Sequence, residues 1–446
     1  MIQLLSLLLP VFLYFLWFGW KLKQGLHMLQ QNAYFNGHYL KWSMKHLGRI
    51  IFIREFLPIV TFFVGWFFLK QYAFMLFGCV YLLLFLCRPK NAYQKKPLVV
   101  TARVKRLIVT CSLLGIIIII VCMTLRPDTR ILAILLTLLC ICAPLYIAFS
   151  NILNRPIELI INRWYFRDAQ KKIEAMQGLR IVGITGSYGK TSTKFILSKI
   201  LAEKYNVLMT PESYNTTMGV IKTIRMQLKP VHEVFVCEMG AKYVGDIQEI
   251  CDLVHPQFGL ITSIGPQHLE TFHTVENIVN TKYELAESLP DKNQLVLNLS
   301  SPLIRDNQRY PSAVTYGEKE EDGVQYWAEK IVYGNTGTSF VVKSKAGLEI
   351  PLETKLLGKH NILNIVGAVA IADMLGLEPE SIRFAVKKLQ PVPHRLEMKP
   401  SSGNITIIDD AFNSNVEGAR AAVQVLGHFQ NVQRILITPG MIELGE

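Results

Sequence analysis

Residues 179–205, LRIVGITGSYGKTSTKFILSKILAEKY, constrain the fold of this chain more than any other stretch. The first part is apolar and β-branched and ends in glycine. After GSYGKT the apolar residues recur at helical spacing, so the glycine loop joins a strand to a helix. The glycines let backbone N–H groups close around phosphate oxygens, and the helix N-terminus adds its positive dipole. Lys190 can reach the outer phosphates and Thr191 can hold Mg2+. The match is the shorter form G-S-Y-G-K-T, because Ile184 stands where the longer phosphate-loop pattern wants glycine. A glycine-rich turn beside a surface lysine gives the same bare pattern, and the strand and helix on either side argue against it.

The residues that follow extend this unit. VHEVFVCEMG reads as a buried strand with Glu238 at its C-terminal end, where a carboxylate can hold Mg2+. FGLITSIGPQHLETF reads as another strand, ending in a turn with His268, and NTKYELAESLP opens a helix with Lys282 and Glu284. Taken singly, His268 suits a cap and Lys282 a solvated helix face. The alternation from 180 to 300 indicates a doubly wound parallel sheet with these residues at one end of its strands. Residues 324–357 alternate and turn at GNTG, which predicts an attached antiparallel sheet of structural role.

The first third differs in kind. Residues 1–150 hold 16 Lys and Arg against two acids, whereas the rest holds 31 against 32, so the basic charge belongs to the front alone. That excludes a basic nucleic-acid-binding face on the later part and fits cations flanking membrane spans. Apolar runs at 3–20, 56–69, 72–87, 107–125 and 131–149 predict a helical membrane domain of about five spans. The 56–69 run is short, and a re-entrant hairpin with 72–87 is the alternative. Cations cluster at 21–55 (Lys21, Lys23, Lys41, Lys45, Arg49, Arg54) and at 88–106 (including Lys90, Lys95 and Lys96). Arg126 and Arg130 are offset by Asp128. The positive-inside rule then places everything after residue 150 in the cytosol, on a multi-pass protein of the cell membrane. Residues 151–177 predict an amphipathic helix along the inner surface. Six of the eight cysteines lie in apolar runs and no CxxC occurs, as expected of reduced, packed thiols.

The order of motifs resembles the Mur ligases of peptidoglycan synthesis. The resemblance rests on TGSYGKTSTK (185–194), NTTMGV (215–220), EMGAKYVGDI (238–247), HLETF (268–272) and TKYELAESLP (281–290). It continues through GKHNILNIVGAVAIA (358–372), PHRLE (393–397) and IIDDAFNSN (407–415). It implies an ATP-binding central domain at 178–390 and, at 391–446, the start of a Rossmann-like third domain. Gly186, Ser187, Gly189, Lys190, Thr191 and Ser192 would cradle the ATP phosphates, and Thr191, Glu238 and His268 would serve Mg2+. Lys282 matches a lysine that is carbamylated in several members. Asn361 and Asn364 match residues near the adenine, and Arg395 and Asp410 residues at the nucleotide. The implied reaction transfers the γ-phosphoryl group to a carboxylate, and an amine then attacks the acyl phosphate. Such chemistry needs positioning and charge neutralisation, which Lys190, Arg395 and Mg2+ supply, with Glu238, His268 and Lys282 completing the catalytic set.

Two features depart from the family. Mur ligases begin with a soluble UDP-gripping domain, and here the apolar runs take its place. The expected acid is a muramoyl-peptide-like carboxylate, lipid-linked at the membrane, joined to an amino acid or dipeptide. Otherwise the spans tether the enzyme to a cell-envelope partner. The sequence also stops at ILITPGMIELGE, in mid-domain, after an expected strand (404–409), helix (416–427) and strand (434–438). Two rivals stay open: the same chemistry on another acid such as a polyglutamate chain, and a nucleotide-binding membrane scaffold or sensor without turnover.

Overall fold

The computed structural model describes residues 2–50, 53–88, 97–125, 128–212, 214–320, 323–334, 337–399, 405–411, 416–429 and 433–438. Lys90, Lys95, Lys96, Arg126, the GNTG turn residues 335 and 336, and residues 412–415 of the last motif lie outside them. The chain forms two compact units, Met1–Arg163 and Trp164–Glu446.

The first unit is helical: α1 (Ile2–Gln31), α2 (Asn36–Lys45), α3 (Leu57–Leu69), α4 (Ala73–Leu86), α5 (Ala102–Leu125), α6 (Thr129–Ile141) and the first part of α7 (Ala143–Glu174). Tyr14, Trp17, Phe62, Phe77 and Tyr81 form its core, and a buried ion pair joins Lys21 to Glu55 at 2.5 Å. The five apolar runs do not become five helices of spanning length. By length and composition only Ala102–Val121 among the described residues is long and apolar enough to cross a membrane, with α6 and α7, bent by 73°, as a second if they count as one broken span. The reason is geometric, since α3 has 13 residues and α4 has 14. At 1.5 Å per residue each reaches about 20 Å, short of the ~30 Å of a bilayer's hydrocarbon. The helix expected at 151–177 starts earlier, at Ala143, because no glycine interrupts the pattern and Pro156 is accommodated inside α7.

The second unit is built on a nine-stranded sheet of order β2-β3-β1-β4-β5-β6-β7-β8-β9. The strands are β1 (Arg180–Thr185), β2 (Val207–Met209), β3 (Val234–Glu238), β4 (Phe258–Ile261), β5 (Leu295–Asn298), β6 (Val314–Tyr316), β7 (Tyr326–Gly334), β8 (Gly337–Ser344) and β9 (Glu349–Thr354). Between them lie α8 (Lys190–Leu201), α9 (Thr217–Gln227), α10 (Asp246–Val254) and α11 (Val275–Ser288), and after them α12 (Lys359–Met374) and α13 (Pro379–Lys387). β1 pairs in parallel with β3 on one side and β4 on the other, so the chain reverses its direction of travel at β1. In a sheet of this kind, ligands gather beyond the strand C-termini at that reversal. The antiparallel sheet expected at 324–357 forms as β7, β8 and β9, and it continues the main sheet, with β6 and β7 joined through Tyr316 and Tyr326.

Beyond residue 391, β10 (Glu397–Lys399) pairs antiparallel with β11 (Ile407–Asp409), and α14 (Val416–His428) follows. The expected helix is present and the first expected strand is shortened. The strand expected at 434–438 is not formed, and residues 433–438 carry no regular structure. A strand needs a neighbour for its backbone groups, and β11 is paired to β10 instead.

Candidate active site

The residues between β1 and α8 turn on two glycines with positive φ, Gly186 at +148° and Gly189 at +82°. Both are also close-packed: a Cβ on Gly189 would stand 2.8 Å from Asn364 Oδ1, and one on Gly186 would run into Thr262 Oγ1. The loop is further tied to the end of β4. Ser187 N–H donates to Ser263 O (2.6 Å), Ser187 Oγ donates to Gly265 O (2.9 Å), and Thr262 Oγ1 donates to Tyr188 O (2.6 Å).

Lys190 opens α8 and folds back over this loop, its Nζ donating to Gly186 O (2.5 Å) and Ser187 O (3.0 Å). Burial lowers its pKa to about 8; Glu238 opposes that shift and Arg395 adds to it. A cation whose hydrogen bonds among the described residues go to carbonyl oxygens, at the mouth of a glycine cradle, is suited to an anionic ligand. Thr191 Oγ1 donates to Glu238 Oε1 at 3.0 Å. Glu238 is the last residue of the wholly buried β3. A hydroxyl and a carboxylate meeting at a strand end are oxygen donors of the kind that Mg2+ takes. Both residues therefore fit the metal, and the cradle fits a phosphate chain.

Lys282 is buried on α11, and burial lowers its pKa to about 7, with the charge of Lys190 contributing. Its ammonium lies 6.0 Å from the Phe272 ring centroid. Arg395 is close enough for its charge to act on Lys190 and to be acted on by Glu238 and Asp410; burial lowers its pKa. The structure thus gathers Gly186, Gly189, Lys190, Thr191, Glu238, Lys282, Arg395 and Asn364 about one place. Three of the remaining expected residues have hydrogen-bond partners of their own. Asn361, on α12, donates to Leu357 O (2.8 Å) just ahead of that helix, and Ser187 serves Gly265. Asp410 accepts from Leu396 N–H (3.2 Å). His268 is half-buried before the single turn Leu269–Phe272, with φ +56°, and Ser192 is half-buried on α8.

Two residues at the site were missed in the sequence. Lys194 is fully buried, with its Nζ 2.9 Å from Glu238 Oε2, and Asn215 Nδ2 donates to Glu238 Oε1 at 3.2 Å. The signal for Lys194 was available, since 194, 197 and 201 share one helical face and the other two are leucines.

A cavity of about 550 Å³ lies elsewhere, lined by Asp168, Lys171, Lys172, Arg225 and Met226. Its cations are largely engaged: Arg225 Nε donates to Asp168 Oδ2 (2.6 Å), and Lys172 Nζ donates to the carbonyls of Ile224 and Arg225 at the end of α9.

The sequence profile of the Mur ligase middle domain matches residues 184–372. The UDP-N-acetylmuramoyl-tripeptide–D-alanyl-D-alanine ligase of Bacillus subtilis (strain 168) is 29% identical over 270 residues, covering 60% of this chain and 58% of that protein. MurF ligase from Thermotoga maritima, solved in complex with ADP, is similar with a TM-score of 0.53 and 27% identity, covering 60% of this chain and 61% of that one. MurF from Acinetobacter baumannii gives a TM-score of 0.54 at 26% identity, over 59% and 58% of the two chains. The chain therefore spans less than two thirds of the length of each of these relatives. Residues 184–372 thus match the Mur ligase middle domain in sequence, and about three fifths of the chain is similar to MurF ligases in sequence and fold.

Proposed function

We propose that the chain is an ATP-dependent amide ligase acting on a peptidoglycan precursor, and that it works at the cell membrane with this unit in the cytosol. The observation that carries the first part is the cradle at 186–191, with Lys190 turned onto its own loop carbonyls and Thr191 Oγ1 3.0 Å from Glu238 Oε1. Bound Mg-ATP would supply the γ-phosphoryl group that activates a carboxylate for attack by an amine. Lys190 would exchange Gly186 O and Ser187 O for phosphate oxygens, and Thr191 and Glu238 would hold Mg2+, with His268 joining them as the resemblance implies. Arg395 adds a second cation where negative charge gathers on the transferred group. Lys282, with a pKa near neutrality, has a neutral fraction able to take up CO2 as a carbamate. The acid and amine are a muramoyl tripeptide and D-alanyl-D-alanine, as in the name of the Bacillus relative.

The membrane part draws on Ala102–Val121 and on the exposed apolar side chains of the first unit, Phe67 and Phe68 among them at 81% and 82%. A lipid-linked acid follows from that placement. The test is ADP and phosphate release by the detergent-purified chain with Mg-ATP and a panel of muramoyl-peptide acids. Soluble and lipid-linked acids are each tried with and without D-alanyl-D-alanine, and Lys190→Ala serves as the blank. Release that needs both substrates and is lost in the variant is expected. Silence across the panel, with nucleotide still bound, would overturn the ligase reading in favour of a scaffold or sensor.

A further inference from the structure

Lys194 carries a charge deep inside the second unit, one helical turn beyond Lys190, and the chemistry above gives it no task. Its side chain is 0% exposed, as unusual for lysine as any burial in the chain. The ammonium lies 2.9 Å from Glu238 Oε2 and donates to the carbonyl of Glu212 at 2.5 Å. Glu212 has a positive φ of +42° and lies in the segment between β2 and α9. That segment reaches Glu238 twice more: Thr210 Oγ1 accepts from the Glu238 N–H at 3.1 Å, and Asn215 Nδ2 donates to Oε1. The two carboxylate oxygens therefore have separate environments. Oε2 faces Lys194, whereas Oε1 meets Thr191 and Asn215.

A lysine suits this task for a physical reason. Its ammonium is a compact point charge and engages one oxygen, whereas the planar fork of arginine takes both. We propose that Lys194 is a positioning residue: it fixes Glu238 through Oε2 and the backbone at Glu212 through its carbonyl, leaving Oε1 beside Thr191 for a divalent cation. Mg2+-dependent nucleotide binding then depends on a lysine that is neither phosphate nor metal ligand. The inference rests on the reading of Thr191 and Glu238 as the metal's oxygen donors.

The test uses the full chain in detergent and the binding of a fluorescent ADP analogue, titrated with Mg2+. Lys194→Met keeps the length of the stem and removes the charge. It is expected to raise the Mg2+ concentration for half-saturation by about 10- to 100-fold, the usual cost of losing a residue that orients a metal ligand. Glu238→Gln should show a similar deficit, and Lys194→Met added to Glu238→Gln should make it no worse. A Lys194→Met chain that follows the wild-type Mg2+ curve and only melts at a lower temperature would overturn the proposal, leaving a structural ion pair. So would independent, multiplying effects of the two substitutions. Where Lys194→Met fails to fold because Glu238 is stranded, the comparison of Glu238→Gln with the double variant, which buries neither charge, decides the matter. Wild-type chain that binds no ADP with Mg2+ would instead overturn the reading of the site itself, and the proposal with it.

Discussion

His360 lies at the start of α12, its Nδ1 buried and without a hydrogen-bond partner among the described residues. Burial lowers its pKa from 6.5 to about 4, so the folded chain holds the imidazole neutral while the unfolded chain protonates it more readily. The unfolded state thus binds more protons across that window, and the contribution of His360 is present above pH 6.5 and lost as pH falls towards 4. Denaturant unfolding at a series of pH values is expected to show a shallower acid loss in His360→Gln than in wild type, and equal slopes would refute this origin. The same scale shows what a sequence reveals of a site. Lys190, Thr191 and Glu238 were legible because loop chemistry and strand ends announce them, whereas Lys282, inside a helix, was legible only through the resemblance to the Mur ligases. Lys194 and Asn215 were not read as site residues: the leucines on the helical face of Lys194 mark it as inward-facing, but only the placement of β3 shows that both side chains meet Glu238. Ser187 and Asn361 were legible as motif members, but their side chains bond to Gly265 and Leu357, and only packing reveals that.

At the scale of elements, Glu284 shows a carboxylate from one helix finishing another. Its two oxygens accept from Gly245 N–H (2.7 Å) and Gln248 N–H (2.9 Å) at the start of α10, where backbone donors lack intrahelical partners. Glu284→Ala is expected to lower unfolding stability by about 1–2 kcal/mol, as for loss of a helix cap, and Glu284→Gln by less, measured by urea denaturation. Alternation of strand and helix patterns gave the parallel part of the sheet from sequence, because each strand is an apolar run bounded by turn residues. The attachment of β7, β8 and β9 was expected, but that they continue the same sheet past β6 was not legible, since hairpin patterns carry no record of which edge they continue. The missing strand at 434–438 fails for the converse reason: β propensity in ILIT is local, and a strand exists only where a partner receives it.

For the whole molecule, the division of charge and apolarity between the two units has a direct consequence. Helices α3 to α6 and the first part of α7 expose Val64, Phe67, Phe68, Ile117, Leu135 and Ile160, more apolar surface than a soluble monomer ordinarily shows. With the membrane placement proposed above, the chain should stay in the pellet after an alkaline carbonate wash and leave it only with detergent. Release by carbonate alone would rule the placement out. The nine-stranded sheet is guarded in a different way. One margin is β2, three residues long, and the other is β9, where Pro351 supplies no N–H and Glu349 and Glu353 stand exposed. Short, charged or proline-bearing margins are poor templates for strand addition. Two crowded copies would thus find only short or charged margins of this sheet to pair with, so close packing of the chain need not lead to fibrous aggregation through it.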